Sequence, residues 1–494
     1  MKKKYLYIIS IGLLSVSSCQ KDKLTPASQT SIVSDDQYLP FTTADRIKAQ
    51  VYGLYSNLRS GNLYGGRYQV YNDVKADNWL NSTANSVTAY QTWSETAQST
   101  SSEVLSLWSQ AYFVINNANL FIDGMVAKGN SVVSAATSAN YIAEAKFARA
   151  ISYYALVEMY CKPYGPDAGA SPGLPLRITG NNVYANYDLA PASVSKIYDQ
   201  ILADLNAAET GLPIAYYTTS ANTTLDATAN TTRAHRNTAI AFKTRVYLSM
   251  QKYAETITEA NKIVSASAPF TATTGVPFAL QSSIANVFKT PYTTTESIFS
   301  APFLSTETAG TQSALGDYFN GTGSLEFYLN PAGVLADAGW KATDVRRSSF
   351  VITKSTGRSY INKFPLTPYT DWAPVMRYSE VLLNLAEARV RTTNLVDPQA
   401  VALLNAVRNR ADASTTYTVA SFATSAALLT AILQERNIEF LGEGLKWNDL
   451  WRLNLPIPGK TAPTGNIPQI NPTDAPYIWP MSGNEQQYNK LIGR

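Results

Sequence analysis

The sequence predicts a mainly α fold, in which pairs of helices form a scaffold and the C-terminal part is long and loop-rich. Two observations lead to this expectation. Apolar residues recur at spacings of three and four along most of the chain, which is the period of a helix with one buried face. That period is lost between residues 267 and 373, where Pro, Thr, Ser, Gly and aromatic residues predominate.

The N-terminal end has the pattern of a bacterial secretory leader. Three lysines follow the first residue, then a short apolar stretch, then two serines before Cys19. The apolar stretch is shorter than the roughly 20 residues that a membrane-spanning helix needs. The sequence Val16–Cys19 resembles a lipobox, which is cut just before its cysteine. We therefore expect a lipoprotein signal peptide at 1–18, lipid on Cys19 and a flexible polar tether at 19–36.

Helical periodicity then runs through an N-terminal region at 37–266. Residues 44–59 carry one apolar stripe from Ile47 to Leu58. Ser193 is expected to cap a helix over 192–209, because its hydroxyl can accept from the first free backbone amides. Further helices are predicted over 103–127, 139–160, 235–251 and 253–265.

These paired helices resemble tetratricopeptide repeats, in which two amphipathic helices pack through small residues. The clearest example runs from Arg245 through Tyr253 to Ala260. The consensus Trp of the repeat is absent, so a generic helical bundle is the alternative.

The C-terminal region at 267–494 opens with an irregular insertion at 267–373, in which residues 297–300 are predicted to form a short strand. Long irregular segments on a rigid body commonly carry function. Helices are predicted to resume over 374–391, 397–412 and 424–442 within a helical stretch at 374–452, followed by a loop-rich tail.

Composition excludes several classes of function. Three lysines of the leader account for most of the net charge of +4, and no basic stripe is visible, so no nucleic-acid partner is expected. With Cys19 lipidated, Cys161 has no partner for a disulfide, and we expect it to be buried. His235 is the only histidine, which rules out a His/Cys zinc site, and no nucleophile marks a triad around it. We expect no catalytic residue, no metal and no cofactor.

Five motifs carry a resemblance to a known family. They lie at 148–165, 377–388 (RYSEVLL with AEA), 404–411 (LNAVRNRA), 435–452 (ERNIEF with EGLKWNDLWR) and 479–489. In this order they resemble the motifs of the RagB/SusD family of outer-membrane nutrient-binding lipoproteins, except that Met481 stands where the family usually has Ile. The motifs span nearly the whole chain after the leader.

The resemblance implies a fold and a role. The fold is a SusD-like scaffold of tetratricopeptide-like helix pairs with an irregular C-terminal part. The role is that of a cell-surface lipoprotein, anchored in the outer membrane through Cys19, that captures a glycan and passes it to a SusC-like TonB-dependent transporter. Gln20–Asp22 resembles the short tag that directs Bacteroidetes lipoproteins to the cell exterior, and the alternative is that these residues are an ordinary solvated part of the tether. Family members are not enzymes, and some bind peptides instead of glycans.

The same motifs place charged residues on helices that must pack together. Charges brought close to a core must pair or lose their hydration at a cost, so we expect ion pairs between helices. Trp447 is expected in the core, four residues from Trp451 on one helical face. The expected ion-pair residues are Arg377, Glu380, Glu387, Arg408, Arg436, Glu439 and Glu443.

A glycan site requires aromatic faces for the sugar rings and amides or hydroxyls for their edges. Aromatic residues in irregular, polar segments are therefore the candidates, and the alternative is that they pin loops to the scaffold. The segment 72–93 supplies Asn78, Trp79, Asn81, Tyr90 and Trp93, and the insertion supplies Trp340 and Trp372.

Two other functions are open to such a chain. A surface glycoside hydrolase would need two carboxylates flanking a cleft; Asp73 and Asp77 are available, but no motif distinguishes them. A helical-repeat scaffold for assembling barrel proteins would fit the lipid anchor and the helix pairs, although the aromatic insertion argues against it.

Overall fold

The computed structural model describes residues 39–182, 187–219, 221 and 223–492. The predicted signal peptide, Cys19 and the tether lie outside these residues. Within them the chain is mainly α and is built from antiparallel helix pairs, which confirms the predicted fold class. The helices are α1 Ala44–Leu58, α2 Arg67–Lys75, α3 Tyr90–Trp93, α4 Ser102–Ala127, α5 Ala135–Tyr160, α6 Val194–Gly211, α7 Ala227–Thr232, α8 Arg236–Ser249, α9 Tyr253–Ala260, α10 Leu315–Phe319, α11 Val345–Phe350, α12 Tyr378–Thr393, α13 Pro398–Ala411, α14 Ser425–Glu439, α15 Lys446–Arg452 and α16 Gly483–Tyr488.

The long helices begin at side-chain caps that the sequence supplies. The Thr43 hydroxyl accepts from the Arg46 amide at the start of α1, and the Ser193 hydroxyl accepts from the Lys196 amide at the start of α6. Such caps satisfy backbone amides that have no partner inside the helix. Helix α5 packs between α4 and α6, and α12 packs against α8, α9 and α13.

Short antiparallel ribbons connect distant parts of the chain. In the ribbon that matters most here, Ser297 pairs with Arg377 and Ala301 pairs with Ala373. The strands are β1 Trp79–Asn81, β2 Pro172–Pro175, β3 Pro191–Ser193, β4 Ser297–Ala301, β5 Phe327–Leu329, β6 Val351–Thr353, β7 Ser359–Ile361, β8 Ala373–Arg377, β9 Lys460–Ala462 and β10 Gly465–Ile467. The ribbon just described pairs β4 with β8, and the others pair β1 with β5, β2 with β3, β6 with β7 and β9 with β10.

The predicted helix at 374–391 is wrong over its first four residues. Residues 374–377 belong to β8, and α12 begins only at Tyr378, whose amide donates to the Glu296 carbonyl at 2.9 Å. The partner strand β4 precedes β8 by more than 70 residues, so the local helical period gives no indication of the pairing.

One hydrophobic core runs from the end of α1 to the C-terminal tail. It includes Val157 of α5, Phe299 of β4, Leu382 of α12 and Trp479 of the tail, all of them buried. A smaller cluster around Phe41 closes the other side of α1. The core crosses the predicted boundary at 266/267 without a break, and the division into two regions there stays a prediction.

Candidate ligand-binding site

Three of the predicted ligand aromatics lie inside the protein. Trp79 has no exposed surface, and its ring stacks on Phe319 with 4.2 Å between centroids. Trp93 is equally buried, and its Nε1 donates to the Trp79 carbonyl at 2.8 Å. Trp340 is buried under Arg347, whose guanidinium lies 4.7 Å from the ring centroid. These rings pin irregular segments to the scaffold, and they would reach a ligand only if their cover moved.

The polar residues of the same segment also serve the loops. The Asn78 Nδ2 donates to Asn437 Oδ1 at 2.7 Å. Asn81 Oδ1 accepts from the backbone amides of residues 83 and 84 at 3.1 and 2.8 Å. Tyr90 keeps some exposed surface, but its hydroxyl donates to the Thr464 carbonyl at 3.2 Å. A ligand role for these three residues stays a prediction that their contacts do not favour.

Trp372 differs from every other tryptophan of the chain. Seven of the eight tryptophans are buried, whereas Trp372 is partly exposed. Its ring lies 5.5 Å from that of Tyr292 at an interplanar angle of 20°. The Tyr292 hydroxyl donates to Asp371 Oδ1 at 2.9 Å, and the Leu366 amide donates to Asp371 Oδ2 at 2.7 Å. These bonds fix the ring of Tyr292, on which the partly exposed indole of Trp372 rests.

A second aromatic residue of the same segment is Tyr369. It is partly exposed and lies beside Asp317, whose Oδ2 is buried without a hydrogen-bond partner. Burial raises the pKa of Asp317 and of Asp371 above the usual carboxyl range. The structure therefore places carboxylates next to aromatic faces, a combination that suits sugar hydroxyls and sugar rings.

A second concave site lies beside α1 and was not predicted. It encloses about 220 Å³ between α1, the end of α7, β4 and β8, and it is named the α1 pocket below. Its lining is mostly aromatic and apolar. The lining includes Tyr52, Tyr55, Arg59, Arg233, Phe299 and Val375.

Two arginines of the α1 pocket are bound differently. Arg233 forms a bidentate pair with buried Glu144, at 3.1 and 2.7 Å, and its guanidinium lies 5.2 Å from the ring centroid of Tyr52. Arg59 pairs with Glu307 at 2.5 Å, and the Glu307 side chain is 54% exposed. The sequence does hold a hint of this site, because Tyr52 and Tyr55 stand three apart on α1, beside the buried stripe rather than in it.

The charged motif residues form an ion-pair network under the β4–β8 ribbon. Arg377 contacts Glu296 at 2.6 Å, Glu439 at 2.9 Å and Glu443 at 2.7 Å. Burial alone would raise the pKa of Glu387, but the guanidinium of Arg452 lowers it to about 2. The remaining pairs are Glu380 with Arg245, Arg408 with Glu435, and Arg436 with Asp449, and Trp447 is fully buried beside them.

Cys161, His235 and Asp73 are enclosed in the protein as well. Cys161 is free and buried, and burial lowers the pKa of His235 to about 3. Asp73 is buried, with no hydrogen bond to either carboxylate oxygen, so it does not flank an open cleft with Asp77. In the described part of the chain, no group of three or more His, Cys, Asp or Glu side chains could hold a metal ion. Among the same residues, none of the helices has the length and apolar character to cross a membrane.

Comparison with known proteins identifies relatives for both halves of the chain. The model of the SusD family matches residues 285–490, and a model described as starch-binding, associating with the outer membrane, matches residues 33–248. SusD-like protein P2 of Formosa agariphila is 23% identical over 549 residues, which cover 99% of this chain and 98% of that protein.

Solved structures share the fold. A SusD superfamily protein from Bacteroides fragilis superposes with a TM-score of 0.79 and 28% identity, over 92% of this chain and 100% of that one. A SusD-like carbohydrate binding protein from Bacteroides vulgatus gives a TM-score of 0.72 at 16% identity, over 92% of this chain and 98% of that one. The helix-pair fold, the ordered motifs and the two family matches together show that this chain belongs to the SusD/RagB family.

Proposed function

We propose that this protein is a cell-surface lipoprotein that captures a glycan and delivers it to a SusC-like TonB-dependent transporter in the outer membrane. Membership of the SusD/RagB family supports a surface binding protein. One matched family is described as starch-binding and associating with the outer membrane, which supports a saccharide ligand at that location.

The observation that carries the glycan assignment is the partly exposed Trp372, stacked on Tyr292. A ring that already packs against a fixed neighbour loses less conformational freedom when a sugar packs against its other face. Sugar C–H groups pack on such a face, and the neighbouring carboxylates can accept from hydroxyls.

Binding of the purified mature protein to a panel of polysaccharides tests this assignment. We expect binding to one glycan without hydrolysis, and Trp372→Ala should weaken it about tenfold or more, because a buried aromatic contact contributes on the order of 1–3 kcal/mol. Tyr488→Ala is the matched control, since Tyr488 is 74% exposed on α16 and should not affect binding. Binding of peptides alone would favour the peptide-binding alternative, and release of reducing ends would favour a hydrolase.

Location and partner need separate tests. Cys19→Ala should release the protein from the membrane fraction, because the lipid that it would carry is lost. An affinity-tagged protein isolated from its own cells should bring a TonB-dependent barrel with it. Recovery without such a barrel would favour the assembly-scaffold alternative.

A further inference from the structure

The α1 pocket supports a more specific inference about the ligand. We propose that this pocket is a saccharide subsite that selects an acidic sugar, a uronate, whose carboxylate replaces Glu307 on the guanidinium of Arg59. This inference rests on the proposed glycan-binding function and adds the chemical class of the ligand to it.

The walls of the α1 pocket suit the face of a sugar ring. Tyr52 stands at the mouth with 45% of its surface exposed. Tyr55 forms part of the wall, and its hydroxyl accepts from the Ala234 amide at 2.9 Å, which fixes the ring. Phe299 of β4 closes the interior, 6.3 Å from Tyr55 between centroids. A cavity of about 220 Å³ accommodates a single sugar unit, with the rest of the oligosaccharide leaving through the mouth.

Of the two pocket arginines, only Arg59 is available to a ligand anion. Arg233 is committed to Glu144, a buried carboxylate that forms no ion pair with any other cation among the described residues. Breaking a buried pair leaves an uncompensated charge and is expensive. The Arg59 side chain is 21% exposed and is paired instead with an exposed glutamate, and ion pairs that remain open to solvent contribute little to stability. A ligand can therefore exchange with Glu307 at low cost.

The carboxylate of Glu307 occupies the position on the Arg59 guanidinium that the proposed uronate would take. Glu307 sits in a surface turn that two backbone hydrogen bonds close between Leu304 and Glu307, at 3.2 and 3.0 Å. Leu304 is 59% exposed, and residues 305–308 are exposed as well, so the turn projects from the body of the protein. The Arg59 Nη1 donates to the Pro302 carbonyl at 3.3 Å, which keeps the guanidinium at the rim of the pocket.

The exchange distinguishes acidic from neutral sugars. A uronate that displaces Glu307 keeps Arg59 paired, and the planar guanidinium can hold the carboxylate through two hydrogen bonds. The sugar face gains the contact with Tyr52 and Tyr55 at the same time. A neutral sugar must either leave Glu307 in place or break its ion pair without replacing it.

The test compares uronate oligosaccharides with their methyl esters, which have the same rings and linkages but no charge. Oligomers of galacturonate, glucuronate and mannuronate are titrated into the mature protein by calorimetry. For the matching uronate we expect the acid to bind about tenfold or more tightly than its ester, as a charge-assisted hydrogen bond predicts. Added salt should reduce the ratio.

Two variants at the pocket should act in opposite directions. Arg59→Gln should abolish the difference between acid and ester. Glu307→Gln should strengthen binding of the acid by about two- to fivefold, because the competing carboxylate is gone. Asp199→Asn is the matched control, because it likewise removes the carboxylate of an exposed ion pair, the one with Lys196 on α6 at 3.7 Å. This variant should bind the acid and its ester as the native protein does. Thermal unfolding of each variant verifies that it is folded.

The outcomes separate this inference from the proposed function. Glycan binding that depends on Trp372 but shows no preference for acid over ester overturns the inference and leaves the proposed function standing. Binding of peptide carboxylates, but of no uronate, at Arg59 also overturns it. If the native protein binds no saccharide at all, both the inference and the proposed glycan-binding function are overturned.

Discussion

Asp73 is a buried acid of α2, and neither of its carboxyl oxygens has a hydrogen-bond partner in good geometry. Burial raises its pKa to about 8 from the usual value near 3.8, and the backbone amides of Gly444 and Gly442 and the charge of Lys363 offset this only in part. The folded protein therefore holds a proton on Asp73 at pH values where the unfolded chain has lost it. The stability that this proton contributes is fully present below pH 3.8 and is lost as the pH rises through 8.

Replacing Asp73 with Asn should reveal this loss. Asn resembles the protonated acid, so the variant should gain stability over the native protein by up to about 1.4 kcal/mol for each pH unit between 4 and 8, and the gain should then level off. Urea unfolding at pH 4.5, 6 and 7.5 measures it. Asp199→Asn, at an exposed site, is the control; a constant difference between Asp73→Asn and the native protein at all three pH values would contradict the explanation.

Arg377 provides a second prediction at the scale of one residue. Its guanidinium is buried among Glu296, Glu439 and Glu443, so Arg377→Met should cost about 3–5 kcal/mol by leaving carboxylates unpaired. Lys196→Met, in an exposed pair, should cost less than about 1 kcal/mol. Denaturant unfolding of both variants measures the contrast. A similar loss in the free energy of unfolding for the two variants would show that the buried network stabilises the fold no more than an exposed ion pair does.

Single residues also show why the candidate site was only partly predictable. The ion pairs of Arg377 could be expected, because its motif places charged residues between apolar residues of a predicted helix. Trp79 stands in a polar stretch and was expected near a ligand, yet β1 pairs with β5 some 250 residues later and Phe319 covers the ring. Burial set by such distant contacts leaves no trace in the local sequence.

At the scale of elements, long helices were predictable and short strands mostly were not. The stripe on α1 and the cap at Ser193 are local features, and both helices start within two residues of the expected positions. The β8–α12 boundary depends on pairing with β4, which lies far upstream. The α1 pocket could not be predicted either, because α1, β4 and β8 come together only in the folded chain.

Two helical glycines should respond in opposite ways to alanine. A Cβ at Gly124 of α4 would lie 2.1 Å from the Phe41 ring, whereas a Cβ at Gly53 of α1 would meet nothing within 4 Å. Gly53→Ala should therefore stabilise by about 0.5–1 kcal/mol through helix propensity. Gly124→Ala should destabilise by about 1–3 kcal/mol despite the same propensity gain, because Phe41 must move. Thermal unfolding measures both, and a gain for Gly124→Ala would show that the Phe41 contact is dispensable.

For the whole molecule, the continuous core predicts cooperative unfolding. Residues on both sides of the 266/267 boundary share one hydrophobic cluster, and Arg245 of α8 pairs with Glu380 of α12 across it. The full chain should unfold in one transition, and the fragment 37–266 alone should show none, because its half of the core would be open to water. Circular dichroism melting of both measures this. A fragment with its own sharp transition would establish the N-terminal region as a separate domain.

The fold class and the family could be predicted for the whole chain, because helical periodicity and ordered motifs run through nearly all of it. The insertion could be recognised as irregular, but its surface could not be mapped. Trp340 and Trp372 both lie in irregular, polar stretches of the insertion. In the folded chain Arg347 covers the buried ring of Trp340, whereas Trp372 packs against Tyr292 and stays partly exposed.

The position of Trp372 has a mechanical consequence. It immediately precedes β8, whose last residue, Arg377, is bonded to Glu296 before β4 and to Glu439 and Glu443 at and beyond the end of α14. A pull on a sugar chain held at Trp372 is therefore carried along one strand into charged contacts shared by several helices. The force would be distributed over the helical scaffold instead of detaching a single loop, so a bound polymer would move the folded protein as one unit.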